Sequence, residues 1–114
     1  MSAMIAPADE AGIIAAVQAA RAAREPLAIE GQGSKRGLLR PVQAARSLST
    51  RGLSGVTLYR PAELIISARA GTPLAEIEAV LAEKGQHLIA ESPYLNGVFG
   101  TSASPSIGGV AAAN

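Results

Sequence analysis

Leu27-Ala28-Ile29-Glu30-Gly31-Gln32-Gly33-Ser34-Lys35 is a strand-like apolar run that breaks into a glycine-rich loop. Glycine has no Cβ, so it adopts positive φ at little cost and lets successive backbone N–H groups converge on one anion. A short strand ending in Gly-x-Gly-Ser therefore has the form of a diphosphate cradle. It equally has the form of an ordinary strand-to-strand turn, and these residues alone leave both readings open. The residues after Lys35 narrow the fold. No helical pattern starts there, and Pro41 stands soon after. A dinucleotide-binding fingerprint or a Walker loop needs a helix N-terminus at that point, so neither fits.

Working outward, residues 7–24 predict an amphipathic helix with Pro7 in its first turn, Asp9 and Glu10 at the positive end of its dipole, and Ile13, Val17 and Ala20 on one stripe. Arg21 and Arg24 occupy its last turn and Pro26 stops it. Downstream, Ser47 to Thr50 and Val56 to Arg60 read as short strands separated by the glycine-containing turn Arg51 to Gly55. Leu64-Ile65-Ile66-Ser67-Ala68 is the most β-like run, continuous enough to predict burial on both faces. The next element is a helix, with Thr72 as N-cap, Pro73 at its first position, Leu74, Ile77 and Leu81 on one face, and Gly85 as its stop. His87 to Ala90 then predicts a further strand. Strand, helix and strand in this order imply a right-handed βαβ unit, so the fold class is α+β (mixed α/β) with a mixed sheet and an N-terminal helix. Residues 92–106, rich in Ser, Gly and Pro, predict a loop.

Composition removes several function classes. Ten Lys plus Arg against nine Asp plus Glu give a net charge of +1 with the cations dispersed, and Tyr59, Tyr94 and Phe99 are the only aromatic side chains. That is no electrostatic footprint for nucleic acid. There is no cysteine, hence no disulfide, thiolate or Cys-ligated cluster in these 114 residues. With one histidine, His87, and scattered carboxylates, a metal site is not expected, and His87 reads as a partly buried residue at the start of a strand. Glu76 and Glu78 fall about 200° apart on their helix, which makes a solvated face rather than a paired acid and base. The first residues lack a signal peptide's basic start and apolar core, and no stretch approaches the ~20 apolar residues of a membrane span, so a cytoplasmic location is the expectation.

Five short motifs succeed one another: Gly31 to Lys35, Tyr59 to Leu64, Ser67 to Leu74, Lys84 to Leu88 and Gly108 to Asn114. In this order they resemble the vanillyl-alcohol-oxidase-type (PCMH-type) FAD-binding fold, and within it the FAD-binding subunits of bacterial glycolate oxidases. Two departures stand out: Glu91-Ser92-Pro93 replaces the usual Glu-Pro-Pro, and the stretch Tyr94 to Pro105 is longer and richer in Ser and Gly. The resemblance implies the N-terminal portion of a PCMH-type domain. Residues 7–91 would form the first subdomain and 106–114 the start of the second, in a protein incomplete at its C-terminus.

The same resemblance implies that Gly31, Gln32, Gly33 and Ser34 wrap the FAD diphosphate with backbone amides, with Lys35 adding a point charge or standing as a solvated surface lysine. Gly31 and Gly33 are expected to serve by backbone conformation rather than by lack of bulk. Ser34 stands where tethered relatives carry histidine, so FAD is expected to be non-covalent. Gly108 and Gly109 would allow close approach to the cofactor and Asn114 a polar contact, although Gly-Gly followed by Val-Ala-Ala-Ala also reads as a helix start. Pro93 would line the flavin or simply sit in a loop, and Arg69, Gly71 and Thr72 read best as a tight turn with an N-cap. No catalytic residue is named. The implied reaction is oxidation of a small 2-hydroxy acid to the 2-oxo acid through FAD, with a catalytic flavin subunit and an iron–sulfur subunit as partners and a location peripheral to the inner membrane through them. The alternatives are a non-catalytic FAD-binding or scaffold subunit, another oxidoreductase of this fold, and a structural piece without ligand. Residues 1–114 alone are not expected to bind FAD tightly or to turn over substrate.

Overall fold

A computed structural model of the protein describes residues 3–33, 43–44, 46–89 and 104–113. Three strands, β1 (Ala3–Ile5), β2 (Leu27–Glu30) and β3 (Arg46–Ser49), form a parallel sheet in the order β1-β3-β2. Arg46 faces both Ala3 and Leu27, and Leu48 faces both Ile5 and Ile29. Helix α1 (Glu10–Ala23) carries the chain from β1 to β2, leaving room for β3 between them. The central strand is consequently the buried one, with Ser47, Leu48 and Ser49 enclosed in succession.

Asp9 sets the start of α1. Its backbone is extended and its carboxylate accepts the Gly12 N–H at 2.7 Å, so it is the N-cap and Pro7 lies outside the helix rather than in its first turn. At the other end Arg24 adopts the left-handed conformation, φ 54°, and Glu25 N–H returns to the Ala20 carbonyl at 2.9 Å before Pro26. Of the expected stripe, Ala20 is buried and Val17 exposed.

The second sheet is the antiparallel pair β4 (Val56–Arg60) and β5 (Ile65–Ala68), joined by a 3₁₀ turn at Pro61–Glu63. Leu64 leaves that turn in the left-handed conformation and is exposed. The expectation that residues 64–68 are buried on both faces is therefore corrected. β5 pairs only with β4 among the described residues, and Ile65 and Ser67 alternate outward while Ile66 and Ala68 turn inward. Helix α2 (Leu74–Ala82) buries Leu74, Ile77 and Leu81, as its spacing predicts, and Gly85 ends the following turn at φ 66°. Its N-cap, however, is Pro73 and not Thr72, whose hydroxyl is engaged elsewhere.

No strand forms at 87–89. Gln86 is held by side-chain bonds, donating to the Pro61 carbonyl at 2.9 Å and accepting from the Tyr59 hydroxyl, and exposed His87 places Nδ1 2.9 Å from the Leu88 carbonyl. The two Gln86 bonds tie the post-helix segment to the tip of the hairpin without a ladder. The βαβ arrangement is instead β1-α1-β2, and the sheets are one parallel and one antiparallel rather than mixed. The fold class remains α+β. A short helix, α3 (Ile107–Ala113), completes the described chain.

Candidate functional site

The glycine loop springs from the carboxyl end of β2, beside the buried end of β3. Ser49 Oγ donates to the Gly31 carbonyl at 2.9 Å, and Thr50 N–H donates to the Glu30 carbonyl at 2.9 Å, so the loop's base is stitched to the neighbouring strand. Gly33 has φ 74°. Gly31 is not in the left-handed region; a Cβ there would lie 2.2 Å from Ser106 Oγ and 3.0 Å from Ser106 Cβ. The shared rationale for the two glycines is thus corrected: Gly33 serves by conformation, Gly31 by lack of bulk. The Gln32 side chain turns inward and donates to the Gly71 carbonyl at 3.0 Å. Among the described residues, the backbone amides of Gln32 and Gly33 donate to no protein acceptor.

Segment 104–109 approaches this loop from the far end of the chain. Ser106 bridges Pro73 in antiparallel fashion, Leu74 N–H donates to the Pro105 carbonyl at 2.7 Å, and Ile107 N–H donates to the Thr72 carbonyl at 2.9 Å. Gly108 N–H donates to the Ala70 carbonyl at 2.8 Å, Gly109 N–H to Ser106 Oγ at 3.2 Å, and Val110 N–H to the Ser106 carbonyl at 3.0 Å. Every amide in this first turn is therefore taken by protein. Gly108 is required by a neighbour, since a Cβ would stand 2.8 Å from the Ala70 carbonyl oxygen, whereas Gly109 is exposed with only Ser106 Oγ nearby.

Between the two segments lies the turn Arg69–Thr72. Gly71 is buried with its α-carbon against the strand-β3 exit: a Cβ would meet the Thr50 carbonyl oxygen at 1.8 Å. Thr72 Oγ1 accepts from Gly55 N–H at 2.9 Å and donates to the Arg69 carbonyl at 2.6 Å, fully buried. Arg69 itself reaches the Ala8 carbonyl at 3.3 Å. This turn is the platform on which the loop and segment 104–109 meet.

Gly31, Gln32, Gly108 and Gly109 thus gather around the turn Ala70–Gly71 and Ser106, and Gly33 follows Gln32 in the loop. Ser34, Lys35, Pro93 and Asn114 lie outside the described residues. Sequence reasoning missed Ser49 as a loop-holding residue. The available signal was the pair of small polar residues, Ser47 and Ser49, flanking the single leucine of a strand that lies at the centre of its sheet.

A family model described as an FAD binding domain matches residues 1–114. The chain belongs to this FAD-binding family. Glycolate oxidase subunit GlcE of Escherichia coli (strain K12) is 46% identical over 71 residues, covering 62% of this chain and 20% of that subunit. The chain thus spans about a fifth of that relative's length. No solved structure matches it. The cofactor of the family is FAD, and the loop fits its diphosphate: two successive amides unengaged among the described residues, a left-handed glycine and no carboxylate bonded to them. No helix among the described residues is long and apolar enough to cross a membrane.

Proposed function

We propose that the protein is the flavin-binding part of an oxidoreductase of glycolate-oxidase type. The observation that supports it most is the contact of Gly31 with Ser106, by which two glycine-rich segments from opposite ends of the chain adjoin on one platform. In this reading the amides of Gln32 and Gly33 receive the FAD diphosphate, Gly31 sets the loop against Ser106, and Ser34 and Lys35 add a hydroxyl and a charge. Gly109 offers a bare α-carbon to the cofactor, Gly108 fixes its turn on Ala70, and Pro93 and Asn114 add contacts along the flavin. The attachment is non-covalent, because serine at position 34 has no imidazole to alkylate. When bound, FAD supplies the two-electron acceptor for oxidation of a small 2-hydroxy acid to the 2-oxo acid.

Residues 7–91 form the first subdomain and 106–114 open the second, whose first turn docks on residues 70–74. The working enzyme includes partner subunits, one a catalytic flavoprotein and one an iron–sulfur protein, and sits on the cytoplasmic side, peripheral to the membrane through them. The similarity to a protein named as a subunit of glycolate oxidase supports the presence of partner subunits.

The test is the full-length protein, purified and titrated with FAD, then acid-precipitated, and separately mixed with glycolate in the presence of its co-expressed partners. One equivalent of FAD released into the supernatant, and bleaching of the flavin by glycolate, is the expected result. Colour that stays in the pellet rejects the non-covalent attachment; failure to take up FAD rejects the whole reading.

A further inference from the structure

Ser49 has exhausted its hydrogen-bonding capacity in a way that fixes direction. A serine hydroxyl has one proton to donate and two lone pairs. Both lone pairs are occupied by donors that cannot accept: Arg51 N–H at 3.2 Å and Arg51 Nε–H at 3.1 Å. The single proton therefore goes to the Gly31 carbonyl at 2.9 Å, and with Ser49 0% exposed no water competes for it. Gly31 C=O and Gln32 N–H belong to one peptide unit. Drawing electron density toward the carbonyl oxygen makes the N–H on the same unit a stronger donor, by roughly 10–30% per bond in a chain.

We propose that Arg51, acting through Ser49, is a positioning residue for the diphosphate cradle: it polarises and fixes the Gly31–Gln32 peptide whose amide receives the anion. The inference rests on the FAD reading and adds two residues that touch no ligand. Its electrostatics are consistent. The guanidinium also approaches the Glu30 carboxylate at 4.0 Å, and that pair holds Arg51 over the strand end while Nε remains on Ser49.

A merely structural serine and a relay differ in one measurable respect. In the full-length protein, Ser49→Ala should weaken FAD by about ten-fold, the loss of a buried bond to a carbonyl that thereby also loses its orientation. Arg51→Gln should weaken FAD by about three-fold in the parent and have no effect once Ser49 is alanine, because the path is already cut. Ser49→Cys, which keeps a weak donor in nearly the same volume, should lie between. Thermal midpoints of the apo-forms accompany each titration, so that a folding defect is read separately. An Arg51→Gln effect of equal size in both backgrounds overturns the relay, as does a Ser49→Ala protein with lowered thermal midpoint and unchanged FAD affinity. A parent protein that does not bind FAD overturns the FAD reading, and the relay with it; a binding parent without the non-additivity overturns the relay alone.

Discussion

Loop 31–33 and segment 106–109 are alike as strings, each a serine near two glycines, and opposite as structures. Among the described residues, the loop leaves the amides of Gln32 and Gly33 without a protein acceptor, while the amides of Ile107, Gly108, Gly109 and Val110 all return to protein carbonyls or to Ser106 Oγ. One has two donors to spare among the described residues. The other has spent its donors on being held in place. Glycine pairs are therefore not interchangeable signals: a cradle differs from a clamp in where the backbone donors go, a matter of complete accounting that only the packed structure permits.

The strongest way to break this contrast is at its point of contact. Gly31→Ala would place a methyl 2.2 Å from the hydroxyl of Ser106, a residue only 4% exposed and held by the Pro73 bridge. Overpacking of this kind costs about 1–3 kcal/mol, which at its upper end is over a hundred-fold in FAD affinity. Adding Ser106→Gly, which removes both close atoms, should recover most of that loss. Titration of the single and double variants decides it: if the double variant is no better than Gly31→Ala, the two segments are not coupled through this contact.

Gly33 tests the other half of the argument, because its need is conformational. At φ 74°, Gly33→Val is strained wherever space exists, and FAD should weaken by roughly 1–3 kcal/mol without rescue by Ser106→Gly. Lys35→Ala should cost less, since it removes a single charge and leaves the amides. Greater damage from Lys35→Ala in the same calorimetric titration would mean that side-chain charge, not the backbone, holds the diphosphate.

Much of the frame was legible from residue patterns. The helix ending before Pro26, strand Leu27–Glu30, the face Leu74–Ile77–Leu81 and the stop at Gly85 rest on local signals: periodicity, a breaker, a glycine in the left-handed region. The errors share a different cause. β1 is three residues long and exists because β3 pairs with it, so no local pattern could mark it. His87 to Ala90 resembles a strand, but Gln86 is captured by Tyr59 and Pro61 and no partner ladder forms at 87–89. Thr72 resembles an N-cap, yet its hydroxyl donates back to the Arg69 carbonyl and accepts from Gly55, and the second of these bonds is a tertiary contact that no local pattern marks. In the site, glycine spacing located the loop, and its tertiary neighbour Ser49 stayed hidden because its role depends on Gly31, 18 residues away in sequence.

The smallest expected effect probes the clamp itself. Gly109 lies inside α3, is exposed, and a Cβ there would meet nothing closer than Ser106 Oγ at 3.3 Å. On stability alone, Gly109→Ala should help, because alanine in a helix is favoured over glycine by roughly 0.5–1 kcal/mol, slightly reduced by that contact. If the α-carbon of Gly109 also faces the cofactor, the added methyl should push FAD away and lower affinity by about two- to three-fold, some half a kcal/mol. The two effects have opposite signs, so one variant separates them. A higher thermal midpoint of the apo-protein with weaker FAD places Gly109 against the cofactor. A higher midpoint with unchanged FAD leaves Gly109 as plain helix surface and confines the cofactor's backbone contacts to the loop.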